Sequence, residues 1–139
     1  MKAYPMPLFV MLAVQDIRTA ILWYENILQF KSVFELSNEE GEIMMAHLRG
    51  EKYQDIMLVQ ERNKEPKGKG VVLNLTVEQI EEYYERALSE RAVIVEKPIK
   101  RPWNAYELLL ADYDGYLITL SMRLDQEKGF EEIVKDVIG

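Results

Sequence analysis

The chain carries a single histidine, His47, and no cysteine. Without thiols, disulfides, thiolate metal sites and cysteine nucleophiles are excluded, and any imidazole chemistry falls to one residue. His47 lies in the stretch Glu42–Leu48, on the same alternating face as Ile43 and Met45. A histidine placed this way is expected to make a structural hydrogen bond. A catalytic role would need a nucleophile and an orienting partner within reach. The nearest carboxylate at a strand end is Glu61, and one histidine with one carboxylate does not make a catalytic metal site. The other conspicuous groups are explained by helices. Trp23-Tyr24 and Tyr83-Tyr84 sit at core-facing helical spacing, and Glu81, Glu82 and Glu85 read as a solvated helix face.

Composition narrows the partners. At 139 residues the chain can bury a sizeable core as one domain, 1–139. A net charge of −7 disfavours nucleic acid, which needs a basic face, and favours cationic ligands. No apolar run is long enough to span a bilayer, so no membrane partner is expected. The N-terminus has one lysine ahead of Tyr4-Pro5 and no cleavable small-residue site. A cytoplasmic location is therefore expected.

The elements that must position these groups come in two copies. Residues 8–17 and 71–80 are both apolar-rich strands that run through Val, two polar residues and Ile into a helical pattern. Val14 and Ile17 fall on Val77 and Ile80, and Ile56-Met57-Leu58 is echoed by Ile118-Thr119-Leu120. Such repetition constrains a fold more than a single motif does. The first module, about 8–61, reads as a strand to Val14 and a helix capped by Asp16 with Ile17, Ala20, Ile21, Tyr24 and Leu28 inward. Strands follow at Lys31–Leu36, Glu42–Leu48 and Asp55–Gln60. A charged linker, 62–70, contains Pro66, Gly68 and Gly70.

The second module, about 71–123, repeats the plan. Its helix over Glu78–Arg91 turns Ile80, Tyr83, Tyr84, Ala87 and Leu88 inward. Pro98 stops the strand Val93–Lys97, and Asp112-Tyr113-Asp114-Gly115 is a hairpin turn. An amphipathic helix at about 125–138, with Phe130, Ile133, Val134, Val137 and Ile138 on one side, should dock on the body or on a partner. The fold class is α+β: two paired βαβββ modules, curved mixed sheets with helices outside. Alternation gives the helix side of the strands to Val10, Leu12, Ile56, Leu58, Leu73, Leu75, Ile118 and Leu120. The opposite face mixes Phe9, Met11, Met57, Asn74, Thr76, Thr119 and Ser121. A face so mixed suits a ligand-lined cavity better than a dry core.

This arrangement resembles the vicinal oxygen chelate superfamily, which includes glyoxalase I, extradiol dioxygenases, fosfomycin-resistance enzymes and bleomycin-resistance proteins. The resemblance covers about residues 8–123. Val-Gln-Asp-Ile-Arg-Thr-Ala-Ile-Leu-Trp-Tyr-Glu-Asn-Ile-Leu-Gln-Phe, residues 14–30, is similar to the family's strand-to-helix segment. Arg101-Pro102-Trp103 and Asp112-Tyr113-Asp114-Gly115 are similar to elements of the bleomycin-resistance branch, with Asn104 replacing a glycine and Tyr113 a proline. Asp55–Glu61 resembles that branch's fourth strand.

Catalytic members of the superfamily chelate a divalent metal from the first and last strand of each module. Carried onto this chain, the resemblance puts those positions at Phe9, Met57, Val72 and Thr119, none a competent ligand for such an ion. No metal and no cofactor are therefore expected. The resemblance also implies a homodimer and a groove bordered by the Trp103 loop, where the indole could stack on a planar ring; packing at the loop base is the alternative. The expected function is binding of a small organic ligand, partly aromatic, cationic and antibiotic-like, in a concave groove without metal catalysis. Its expected contacts are Trp103, Phe9, Met57, Val72, Thr119, Asn74, His47 and Glu61. The competing reading is a metal-dependent glyoxalase-type lyase or dioxygenase with shifted ligands, such as His47 with Glu61. A third is a purely structural or regulatory module whose cup is filled by side chains.

Overall fold

The structure is a computed structural model and describes residues 8–51, 54–61 and 70–138. Most of the expected linker, residues 62–69, lies outside them. The chain forms two compact units, Met1–Lys69 with the turn Asp112–Gly115, and Gly70–Ala111 with Tyr116–Gly139.

The first unit holds β1 (Val10–Val14), α1 (Ile17–Leu28), β2 (Lys31–Ser37), β3 (Ile43–Arg49) and β4 (Asp55–Gln60). Asp16 caps α1, its carboxylate accepting the Thr19 amide at 3.2 Å. Gln29 ends the helix in a left-handed conformation, φ 61°. Between these caps Ile17, Ala20, Ile21, Tyr24, Ile27 and Leu28 are buried, and so is Trp23, which packs edge-on against Tyr24. Each large apolar side chain so buried contributes about 1.5–3 kcal/mol. The helix covers one sheet face through Leu12, Val14, Ala46, Leu48, Ile56 and Leu58.

The second unit repeats the order with β5 (Val72–Thr76), α2 (Ile80–Ser89), β6 (Val93–Arg101), β7 (Ala105–Ala111) and β8 (Leu117–Arg123), then α3 (Phe130–Ile138). The two sheets share one topology, β1-β4-β3-β2 and β5-β8-β7-β6. In each, the module's first and last strands pair in parallel and the others antiparallel. This is the α+β, doubled βαβββ fold. Among the described residues no helix is long and apolar enough to cross a membrane.

Four expectations are corrected. Strand β1 begins at Val10 rather than residue 8, leaving Leu8 and Phe9 ahead of it. Helix α2 is shorter than Glu78–Arg91 and buries only Ile80 and Ala87. Tyr83 and Tyr84 are half-buried and Leu88 is exposed, because the helix presents only a narrow apolar stripe. Strand β6 runs through Pro98 to Arg101. It is the edge strand of its sheet and shifts register beside the proline, so the missing amide breaks no ladder. Helix α3 begins at Phe130, not near 125, and buries none of its residues.

Candidate functional site

Among the described residues, each sheet has a helix of its own unit on one face only, so within that unit the other face is open. On the first sheet the ladder registers align Met11, Met57, His47 and Phe34 in one row across four strands. The next row is Ala13, Val59, Met45 and Leu36. Met11 and Phe34 are 55% and 56% exposed, so this is an apolar surface with no cover in its own unit. Methionines make such a surface adaptable in shape.

A polar cluster stands at its edge. Antiparallel pairing sets Asp55, the first residue of β4, opposite Arg49 on β3, two residues from His47. One oxygen of Asp55, Oδ2, accepts from His47 Nε2 at 2.7 Å and from Arg49 Nε at 2.9 Å. The Asp55 side chain is 1% exposed, against 19% for His47 and 35% for Arg49. A carboxylate buried this deeply needs such donors. Sequence reading singled out His47 and missed its partner. The signal was the alternation that puts His47 and Arg49 on one face, together with a carboxylate where the next strand begins.

Glu61 does not join them. It follows β4, its amide bonded to the Val14 carbonyl, four residues along the strand from Met57, the residue paired with His47. Four residues of strand span about 13 Å, so the two side chains do not converge on one ion. Among the described residues no group of three or more His, Asp or Glu is arranged to hold a metal. Phe9, Met57, Val72 and Thr119 carry no carboxylate or imidazole, and the donor set does not fit a hard or borderline divalent ion.

In the second unit the open face carries Val72, Asn74 and Thr76 on β5, with Asn74 directly opposite Thr119 and Thr76 opposite Ser121. Beyond them, Leu109 and Glu107 on β7 continue the two rows. Arg101 pairs with Glu96 through Nη2, and its Nε lies 3.6 Å from Glu107 Oε1. Trp103 sits in the β6–β7 turn, 44% exposed. Its indole nitrogen donates to Glu107 Oε2 at 3.2 Å, and the Arg101 guanidinium lies 5.6 Å from the ring centre. Beside it Asn104 is buried at φ 62°, and its amide brackets the Asp125 backbone with bonds of 2.8 and 2.9 Å. The left-handed backbone explains why a glycine is the alternative at this position. Glu96 and Glu107 were not singled out from sequence.

Within each unit taken by itself, the open sheet face is a surface. Among the described residues, half-open pockets lie at strand ends, about 370 Å³ beside Asp16, Glu42 and Gln60 and about 440 Å³ beside Thr76, Glu78 and Arg123. Neither volume is lined by an expected contact residue.

Residues 8–120 match the family model described as Glyoxalase/Bleomycin resistance protein/Dioxygenase superfamily. No curated protein matches the chain. Among solved structures it is similar to TioX from Micromonospora sp. ML1, with a TM-score of 0.69 and 21% identity over 84% of this chain and 98% of that one. It is similar to a protein from the mobile metagenome of V. Pseudocholerae, at TM-score 0.65 and 27% identity over 88% and 96%. A third is the fosfomycin resistance protein FosX of Listeria monocytogenes, complexed with Mn(II) and sulfate, at TM-score 0.70 and 14% identity over 94% and 95%. At 14 and 21% identity the likeness to FosX and TioX is one of fold.

Proposed function

Because this chain belongs to the glyoxalase/bleomycin resistance protein/dioxygenase superfamily, we propose that it binds a small, planar, partly aromatic and cationic organic molecule on its open sheet faces, without metal-dependent chemistry. One observation carries the reading. The positions that resemble the family's chelating set hold Phe9, Met57, Val72 and Thr119, and the surface around Met57 is a continuous apolar row rather than a set of converging donors. Apolar surface with a few polar groups at its margin suits an organic ring better than an ion.

On the first sheet the ring lies over Phe9, and over Met11 and Met57 in the row that also holds His47. The second sheet is a separate binding surface, on which Thr119 and Asn74 supply polar contacts and Trp103 a stacking face. Glu96 and Glu107 outnumber Arg101 there, which favours a cationic group. Glu61, at the end of β4, is the outermost contact in this reading. The molecule is held and not transformed.

A thermal-shift screen over chemically diverse ligands, metal-free bleomycin included, tests this. Ligand at a hundredfold its Kd should add about 2.7 kcal/mol of stability. Elemental analysis of natively purified protein is the second arm. A stoichiometric divalent metal, whose removal by chelator abolishes turnover of a hemithioacetal, would replace this reading with the lyase.

A further inference from the structure

The His47–Asp55–Arg49 cluster fixes more than a strand edge. Asp55 Oδ2 accepts from Arg49 Nε, which can only donate, and from His47 Nε2 on the same oxygen. An oxygen serving two donors makes Nε2 the protonated nitrogen when the ring is neutral. Nδ1 is then the acceptor. Among the described residues Nδ1 has no protein partner and is not sealed from solvent. Across the strands His47 is paired with Met57 on one side and Phe34 on the other. A bare, oriented acceptor therefore sits within an apolar row.

We propose that His47 sets ligand specificity by accepting, at Nδ1, a hydrogen bond from a hydroxyl on the ring of a planar aromatic molecule, so that the first sheet selects phenols over their ethers or unsubstituted rings. Asp55 is the positioning residue. The proposal rests on the reading that this face receives a planar molecule and adds the group that face requires. The physical basis is asymmetric. A ligand that cannot donate leaves Nδ1 to lose its water without replacement, whereas a phenol replaces that water directly.

The chain has one histidine, so ¹⁵N-histidine labelling of the full protein reports on His47 alone. Long-range ¹H–¹⁵N spectra at neutral pH should show a protonated Nε2 and a bare Nδ1. The probes are 2-naphthol and its methyl ether, 2-methoxynaphthalene, followed also through ¹³C-methyl methionine signals of Met11, Met45 and Met57. Both probes should move the methyls, and only 2-naphthol should move Nδ1. The phenol should bind about tenfold more tightly than the ether. Asp55→Asn should mix the two tautomers and shrink that ratio; if this variant does not fold, the wild-type spectra still decide. A proton on Nδ1, or moved methyls with equal affinity for both probes, overturns the role of His47 and leaves the face reading standing. Methyls unmoved by either probe overturn both.

Discussion

Trp103 can act as a strut or as a platform, and its surroundings favour the platform. It is tied by a single bond to Glu107 and leaves 44% of its surface exposed. Trp103→Ala should weaken an identified ligand by about 1–3 kcal/mol, while its denaturation midpoint moves far less. Titration beside urea unfolding checks this, and unchanged affinity would return the residue to a packing role. Tyr24 is the opposite case, a buried ring whose hydroxyl donates to buried Asp112 at 2.7 Å. Tyr24→Phe should cost about 1–3 kcal/mol in urea unfolding, because a buried carboxylate loses a donor. The contrast explains what sequence could show of the site. The Asp16 cap and the inward face of α1 depend on neighbours within a turn, and both were legible. The pairs Asp55 with His47 and Asp112 with Tyr24 depend on strand register or on distant parts of the chain. Alternation gives a residue's face but not what lies opposite it.

Strand β4 matches its sequence reading at both ends, Asp55–Gln60, because polar residues bound a short apolar run. β6 did not, since Pro98 stops a strand only where its amide would have been used, and an edge strand has a side without a partner. Helix α2 is held to β7 by Tyr106, whose hydroxyl donates to Glu81 at 2.5 Å. That hydrogen bond, followed by burial and the Glu81 charge, raises the phenol above its ordinary 10.0. A raised pKa means the contact is fully present below about pH 10 and is lost as pH climbs through the higher folded value. Spectrophotometric titration should show one tyrosine ionising late, and Tyr106→Phe should remove it. Gly50 governs another joint, because a Cβ there would stand 2.8 Å from the buried Phe30 ring. Gly50→Ala should destabilise by about 1–3 kcal/mol through overpacking, measured by thermal unfolding.

For the whole molecule, the exposed apolar groups outnumber what one ligand would cover. Val33, Phe34 and Leu36 are exposed on the edge strand β2, as are Phe130, Val137 and Ile138 on α3. Uncovered edges and apolar patches invite association, and we expect a homodimer. Sedimentation at micromolar concentration should give twice the chain mass, with Val33→Lys shifting it toward one; a wild-type monomer would sink the idea. The shared sheet topology has a consequence in time as well. β1 hydrogen-bonds to β4 and to no other strand of its sheet, so Val10 waits for Ile56. Synthesis at about 5–20 residues per second makes that wait a matter of seconds, during which α1 has no sheet to cover. Even when β4 has emerged, Tyr24 still lacks its acceptor. Asp112 lies 88 residues further along the chain, and until the ribosome reaches it the tyrosine hydroxyl lacks this bond.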